Sequence, residues 1–332
     1  MIKNIQSGYH NLIKNIGDIL DRGRHKAYVA VNNILVVTYW HIGKEMVDFE
    51  QRGSERAVYG SDLLSRISRD LSERYGKGFS RSNVYIMRQF YLKYPKIQTV
   101  SGRLSWSHFV ELLGVSDDLA RGFYEKQCLR ENWSTRELSR QINTMLFERL
   151  ALSRDKKAVM VLSKSGHVIE KDADIVKEPY VLEFLKIPQS HAYSEKELEQ
   201  RIIDNLQMFL LELGKGFAFV GRQYRISFRN KHYYVDLVFY HRILKCFVLV
   251  DLKIGNVDHL DVGQMNIYLN YFKKEEMAMD DNGPIGIILA ADKDEVLVEY
   301  ALGGISNKLF VSKYQLYLPD KKQLQAQLRK LI

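Results

Sequence analysis

Residues 233–255 have the sequence YYVDLVFYHRILKCFVLVDLKIG, in which two strongly apolar runs flank a short segment with polar residues. The runs Tyr233–Tyr240 and Cys246–Ile254 are rich in β-branched and aromatic residues, which favours two β-strands. The second run is nearly continuously apolar, as is typical of a central strand that is covered on both faces. The segment therefore predicts a β-hairpin inside a sheet.

Charged residues interrupt both apolar runs of this hairpin. Asp251 and Lys253 are two positions apart, so their side chains point to the same face of the second strand. Asp236 interrupts the first strand. If the turn is centred on Ile243–Leu244, position 236 pairs with position 251, and directly opposed Cβ atoms lie about 4.5–5.5 Å apart. A slip of one residue would put the two aspartates on opposite faces.

Two carboxylates this close repel each other strongly unless a proton or a cation lies between them. A divalent cation fits, with Mg²⁺ the usual choice near phosphate and Mn²⁺ the alternative. Held by Asp236 and Asp251, Mg²⁺ can polarise a phosphodiester and lower the pKa of a bound water, while Lys253 orients that water or offsets charge. A structural ion pair of Lys253 with either aspartate is the alternative. His232 and His241 are interpreted as polar residues at the hairpin ends rather than general bases.

The chain has 332 residues and a net charge of +9, and the basic excess lies in its N-terminal half. Residues 1–160 contain 26 Lys and Arg against 17 Asp and Glu, whereas residues 161–332 contain 23 of each. The excess is densest at residues 66–96, with eight basic and two acidic side chains. Such a patch attracts a polyanion, most commonly nucleic acid, although a solvated helix face has the same composition.

Within this basic region, residues 61–75 and 81–95 predict two helices joined by the glycine-containing turn GKGFS. Ser80 is the predicted N-cap of the second helix, and Pro95 ends it. The pattern is typical of a helix-turn-helix, which suits the major groove of DNA better than RNA, but plain helix packing is the alternative. The residues expected to contact nucleic acid are Arg81, Asn83, Tyr85 and Arg88.

The pattern along the chain divides it into three parts. Residues 1–155 predict a helical domain that docks nucleic acid, residues 156–192 a boundary region, and residues 193–332 a second domain. The second domain begins with a long predicted helix, Ser194–Gly214, and continues in the order β-β-β-α-β. Residues 217–228 suggest a strand or a strand pair, a helix is predicted from about Val262 to Phe272, and a last short strand is predicted at Tyr314–Leu318. This order indicates an α/β fold with a mixed sheet flanked by helices.

The composition gives no sign of a membrane or secreted protein. Cys128 and Cys246 are far apart and form no CxxC pair, which fits a reducing compartment. The longest apolar runs are far shorter than the roughly 20 residues that cross a bilayer, and the first residues lack the apolar core of a signal peptide. We therefore expect a cytoplasmic protein with no membrane partner.

The hairpin motif, with fourteen residues between Asp236 and the triplet Asp251-Leu252-Lys253, is similar to that of the PD-(D/E)XK nuclease superfamily. Gln264 and Tyr268 on the following helix resemble the QxxxY element of its RecB-like and lambda-exonuclease-like branch. Longer runs resemble the YhcG-type bacterial proteins, the DUF1016 family. These runs include YWHIG at 39–43, GFSRSNVYIMRQFY at 78–91, ENWSTREL at 131–138, FLLELGKGFAFVGRQ at 209–223 and GPIGIILAADK at 283–293.

The resemblance implies a restriction-endonuclease-like mixed sheet flanked by helices. It also implies that an all-α domain of helix-turn-helix or winged-helix-like form precedes this sheet. In the family's pattern Asp236 and Asp251 bind the metal and Lys253 is catalytic. The third acidic position is Asp251, where relatives are expected to carry glutamate, and the shorter carboxylate would change the metal geometry.

Three further residues take their roles from the resemblance. Glu199, on the helix before the sheet, would be a further metal ligand or a water anchor, with a solvated helix residue as the alternative. Gln264 and Tyr268 are four residues apart on one helix face and would together contact the substrate.

We therefore expect a metal-dependent nuclease that acts on DNA, with RNA as the alternative substrate. Many nucleases form homodimers to cut two strands, so a homodimer is one option here. The rival hypotheses are a catalytically silent DNA-binding module and a protein-interaction subunit.

Overall fold

The computed structural model of the chain describes residues 2–52, 60–96, 102–152, 156–188, 192–228 and 230–331. Its backbone forms two compact units. The first consists of Met1–Arg121 and Asn132–Leu138, and the second of Gly122–Glu131 and Ser139–Ile332. The sequence predicts a helical docking domain that ends at residue 155 and a second domain that begins at residue 193. These two limits stay a prediction.

The described residues of the first unit form helices and no strand, which confirms an all-α N-terminal region. The helices up to residue 113 are α1 (Ile2–Arg52), α2 (Gly60–Tyr75), α3 (Arg81–Lys93) and α4 (Trp106–Leu113). The predicted cap is confirmed, because the Ser80 side chain accepts a hydrogen bond from the backbone of Asn83 at 3.3 Å. Helices α5 (Asp118–Glu131), α6 (Thr135–Asn143), α7 (Leu146–Leu152) and α8 (Lys156–Ser165) follow along the chain.

Helix α3 is held against the C-terminal part of α1. Val84 and Met87 of α3 are fully buried together with Met46 of α1. The backbones of α1 and α3 approach so closely at Gly43 that a Cβ there would collide with the carbonyl of Met87. Glycine is the residue that permits this approach. The indole of Trp40 also donates to the Tyr94 carbonyl at 2.6 Å. This packing fixes which face of α3 remains open to solvent.

The second unit contains a six-stranded mixed sheet with the order β1-β6-β5-β4-β3-β2. Its strands are β1 (Tyr180–Val181), β2 (Phe217–Phe228), β3 (Lys231–His241), β4 (Cys246–Asn256), β5 (Ile285–Asp292) and β6 (Lys308–Gln315). The associated helices are α9 (Glu195–Asp204), α10 (Leu206–Leu213), α11 (His259–Tyr271), α12 (Glu295–Leu302) and α13 (Lys321–Leu331). Strand β4 pairs antiparallel with β3 and parallel with β5, so the predicted mixed α/β sheet is confirmed.

The predicted register of the central hairpin is also confirmed. Leu237 pairs with Val250 and His241 with Cys246, which centres the turn between residues 243 and 244. Lys245 closes the turn with a φ of +47°, the left-handed conformation that ends many tight turns. Asp236 and Asp251 are the next residues of the two strands, one step beyond the Leu237–Val250 pair at which the ladder ends.

Both faces of β4 are covered, as its apolar sequence predicts. Val250 and Leu252 pack with Leu198 of α9 and Phe209 of α10. Leu249 packs on the opposite face with residues of α11. Because side chains alternate along a strand, Asp251 and Lys253 share the face of Leu249, next to α11.

Two predicted elements differ from the structure. The long helix Ser194–Gly214 is broken at Asn205, whose side-chain amide donates to the Arg201 carbonyl at 2.9 Å and competes with the helical backbone. Of the two alternatives for residues 217–228, a strand or a strand pair, the structure has the single strand β2, with a register shift between Phe219 and Gly221. The last strand lies at 308–315 rather than 314–318.

Among the described helices, none is long and apolar enough to span a membrane.

Candidate active site

The charged residues of the hairpin meet where β3 and β4 separate. The paired ladder ends at Leu237 and Val250. Beyond it, Oδ2 of Asp236 accepts a hydrogen bond from the backbone N–H of Leu252 at 2.8 Å. The Asp236 carboxylate thus takes the place of a strand-to-strand bond and lies beside Asp251.

Asp251 and Lys253 form an ion pair inside this region. Nζ of Lys253 is 3.0 Å from Oδ2 of Asp251, whose side chain is 5% exposed. Apart from this ammonium, the buried oxygen has no hydrogen-bond donor among the described residues. Nζ of Lys253 also lies 3.2 Å from Oδ1 of Asp261 in the first turn of α11. One ammonium is therefore shared by two carboxylates.

The negative charge of the carboxylates in this cluster exceeds the positive charge of Lys253. Burial, followed by the negative charge of Asp236, raises the pKa of Asp251 to about 7. Burial also raises the pKa of Asp236, although the N–H of Leu252 opposes this effect. For Lys253, burial lowers the pKa, but the carboxylates of Asp251 and Asp261 outweigh burial and raise it. Lys253 is thus a firmly charged ammonium that does not fully neutralise its neighbours.

Gln223 is a site residue that sequence reasoning missed. Its side-chain Nε2 donates both to Oε2 of Glu199 at 2.6 Å and to Oδ1 of Asp236 at 3.0 Å. Its backbone φ is +47°, a conformation that is uncommon for a non-glycine residue. The structure therefore brings Glu199 beside Asp236, with an amide between the two carboxylates. No pattern in residues 217–228 signals this role, because it depends on the register shift in β2.

Asp261 was also missed, because the predicted helix began at Val262. The helix instead begins at His259, and Asp258 is its N-cap. Asp261 uses Oδ2 to accept from the backbone of Asp258 at 3.0 Å, which leaves Oδ1 for Lys253. The spacing of two aspartates three residues apart is a capping-box signal that could have located this helix start.

Gln264 and Tyr268 are brought together as predicted for one helix face. The amide of Gln264 donates to the Tyr268 hydroxyl, which donates to the carbonyl of Tyr234 at 3.0 Å. Tyr268 is fully buried, and burial raises its pKa to about 12. In this arrangement the pair fastens α11 to β3. Their contact with a substrate stays a prediction.

The acidic side chains of the described residues do not surround a single point as a complete set of metal ligands would. Among the described residues, no group of three or more His, Cys, Asp or Glu side chains is arranged to hold a metal ion. His241 takes a structural role instead: its Nε2 lies 3.1 Å from the Lys215 carbonyl, and its Nδ1 accepts from the backbone of Leu244 at 3.1 Å. Two neighbouring aspartates, with Glu199 beyond the Gln223 amide, are therefore the acidic set available to a cation.

The four residues predicted to contact nucleic acid fall into two classes. Arg81 and Tyr85 are exposed on α3. Arg88 makes a two-pronged ion pair with Glu50 of α1, at 2.9 and 2.8 Å. The carbonyl oxygen of the Asn83 side chain accepts from the Trp106 indole at 3.2 Å, and its amide donates to the Gly78 carbonyl. Asn83 and Arg88 thus contribute to packing, while Arg81 and Tyr85 face solvent.

Two family models match the chain, one in each half. Residues 15–149 match the DUF1016 N-terminal domain, and residues 173–329 match the YhcG PDDEXK nuclease domain. YhcG of Escherichia coli (strain K12), whose name marks it as a candidate nuclease, is 40% identical over 352 aligned positions. The alignment covers 96% of this chain and 93% of that protein.

Solved structures match more weakly. A repair endonuclease from Pyrococcus abyssi is 23% identical with a TM-score of 0.28, over 40% of this chain and 50% of that chain. A complex of EndoMS with double-stranded DNA is 17% identical with a TM-score of 0.27, over 41% and 51%. The chain therefore spans about half the length of these structures, and scores this low carry no functional argument.

The buried carboxylate of Asp251 leads to a pH-dependent expectation for Asp251→Asn in metal-free protein. Because the pKa of Asp251 is raised to about 7, its stabilising proton is fully bound in the folded state at low pH and is lost as the pH rises through 7. The substitution should therefore raise the melting temperature more at pH 8 than at pH 5, by about 3 °C or more. Thermal unfolding in EDTA measures this difference.

The matched control is Asp280→Asn, because the Asp280 side chain is 78% exposed. It should change the melting temperature little and equally at both pH values. An effect of Asp251→Asn that is the same at pH 5 and pH 8 would show that Asp251 is ionised throughout.

Proposed function

Since the chain belongs to the YhcG (DUF1016) family with its PDDEXK nuclease domain, we propose that it hydrolyses phosphodiester bonds of DNA at the Asp236–Asp251–Lys253 cluster, with a divalent cation. The observation that carries this proposal is the buried Asp251 carboxylate. It lies beside the Asp236 carboxylate, and the one ammonium in contact with it is shared with Asp261. Burying a carboxylate costs several kcal/mol unless positive charge balances it, so a further partner of positive charge is expected.

The donor set fits Mg²⁺ or Mn²⁺. Asp236 and Asp251 offer oxygen ligands, which these hard cations prefer, and two carboxylates of raised pKa gain most from a positive charge. Glu199 would serve as an outer anchor, because Gln223 already links it to Asp236. When bound, the cation would polarise the phosphodiester and offset the charge of the carboxylates.

Lys253 has the properties of a group that stabilises negative charge. It is held from two sides by Asp251 and Asp261, and its side chain is still 17% exposed, so a phosphate oxygen can reach it. Because both carboxylates raise its pKa, it stays protonated at neutral pH. We assign it the role of orienting water or offsetting charge on the phosphate, and Asp261 the role of positioning it.

The basic helices of the N-terminal region are proposed to dock DNA. Residues 66–96 carry eight basic and two acidic side chains, and Arg81 and Tyr85 lie on the solvent face of α3. An exposed arginine contacts phosphate, and an exposed tyrosine can donate to it or pack on sugar. DNA is favoured over RNA because a helix fits the major groove of B-form DNA.

Catalysis is tested by nicking of supercoiled plasmid in the presence of Mg²⁺. Asp251→Ala and Lys253→Ala should each reduce the initial rate by about 100-fold or more, because each removes a charge that acts on the reacting phosphate. Lys245→Ala is the matched control, since Lys245 lies in the turn of the same hairpin and its side chain is 59% exposed. It should keep the wild-type rate.

Two outcomes would refute the nuclease proposal. Nicking by Lys253→Ala at the wild-type rate would show that Lys253 takes no part in the reaction at this cluster. Binding of plasmid without any nicking by the wild-type protein would instead support the silent DNA-binding module.

Cation binding is tested separately with Gln223→Glu and Mn²⁺, by thermal unfolding. In EDTA this variant should melt below wild type, because a third carboxylate replaces the amide that bridges Glu199 and Asp236. Mn²⁺ should raise its melting temperature by more than that of wild type. Gln200→Glu, on the exposed side of α9, is the control and should respond to Mn²⁺ like wild type. Equal responses from both variants would argue against a cation at this cluster.

DNA docking is tested by binding of a labelled duplex at several salt concentrations. Arg81→Ala should weaken binding by about fivefold and reduce the salt dependence by about one charge, because it removes one phosphate contact. Arg88→Ala should instead lower the melting temperature, since Arg88 pairs with Glu50. Unchanged affinity and salt slope for Arg81→Ala would contradict docking through this face of α3. Lys274→Ala, 83% exposed, is the control.

A further inference from the structure

The N-terminal half of α1 exposes a continuous apolar stripe. The larger side chains of this stripe are between 44% and 65% exposed, and they include Leu12, Ile13, Ile16, Ile19, Leu20 and Ile34. At 3.6 residues per turn they fall within about a third of the helix circumference. A row of this length is more than scattered surface apolar residues, and such patches mark sites of association.

Small residues occupy the middle of the stripe. Gly23, Ala27 and Ala30 lie on the same side of α1 as the larger apolar residues. Glycine inside a helix costs about 1 kcal/mol relative to alanine. A Cβ at Gly23 would meet no atom within 4 Å, so packing within the described chain does not require glycine there. Its absent side chain does allow a second helix to approach closely.

The remaining face of this part of α1 is polar and of mixed charge. The exposed charged side chains there are Lys14, Asp18, Asp21, Arg22, Arg24 and Lys26. The two aspartates offset half of the basic charge. A helix that lies on a membrane surface is enriched in lysine and arginine on its polar face, so an anionic lipid surface is the rival occupant.

We propose that this stripe pairs with the same stripe of a second copy of the chain, antiparallel, with the twofold axis close to Gly23. About that axis Ile16 lies opposite Ala30, and Ile19 opposite Ala27, so that large side chains meet small ones. Leu12 lies opposite Ile34 at each end. A twofold interface requires one surface to be complementary to itself, and the large and small residues on either side of Gly23 meet that requirement.

The size of the stripe agrees with a stable interface. Residues 9–34 rise about 39 Å along a helix axis. Tyr9 and Val31 are exposed on the same side and bring the number of large side chains to eight, so roughly 100 Å² from each gives on the order of 800 Å² per copy. One side of a standard protein interface also buries about 800 Å². The pairing is independent of the proposed nuclease activity.

The mass of the full chain in solution tests this pairing, measured by analytical ultracentrifugation over a range of concentrations. Wild type should sediment as a dimer, and Ile16→Lys/Ile19→Lys should raise the dimer dissociation constant by about 100-fold or more. Asn11→Lys/Asn15→Lys adds the same charge on the polar face and should leave the dimer intact. A wild-type monomer, or a dimer that persists in Ile16→Lys/Ile19→Lys, overturns the proposal. So does a wild-type monomer that sediments with anionic vesicles.

Cysteine crosslinking tests the antiparallel arrangement. Gly23→Cys should form a disulfide-linked dimer on mild oxidation, because the two copies of residue 23 meet at the axis. The native Cys128 and Cys246 are buried and should not interfere. Leu12→Cys alone should not crosslink, but Leu12→Cys mixed with Ile34→Cys should. Efficient crosslinking of Leu12→Cys to itself would indicate parallel pairing and overturn the arrangement.

Discussion

The repulsion between a buried and a half-buried carboxylate on neighbouring antiparallel strands is the constraint around which the second unit is arranged. Asp236 and Asp251 lie where β3 and β4 separate, and burial raises the pKa of both. A backbone N–H and the Gln223 amide satisfy Asp236, while Lys253 offsets part of the charge on Asp251. These contacts reduce the repulsion without removing it, and a site that remains short of positive charge is prepared for a cation and a phosphate.

The fold supplies this arrangement through the covered faces of β4. Val250 and Leu252 bury one face of the strand against α9 and α10, so Asp251 and Lys253 must lie on the other face beside α11. Helix α11 then adds Asp261 to hold the ammonium, and Tyr268 ties the same helix to β3. Packing of apolar residues thus determines where the charges meet, and the charges in turn determine the chemistry.

The hairpin and its charged trio could be predicted from the sequence, because strand alternation and the turn centre define the register with few alternatives. Gln223 could not, since its position depends on a register shift in β2 and on a left-handed backbone. Asp261 was missed because the helix starts three residues earlier than predicted. Arg88 was assigned to nucleic acid because its partner Glu50 is 38 positions away, a distance at which local patterns carry no information.

Crystals of the wild-type protein soaked with Mn²⁺ and measured for anomalous scattering test the central claim most directly. A peak is expected in contact with carboxylate oxygens of both Asp236 and Asp251, and it should be absent from crystals of Asp251→Ala treated in the same way. Wild-type crystals with no peak at these residues at millimolar Mn²⁺ would contradict it, because the two carboxylates would then be balanced by Lys253 and Gln223 alone.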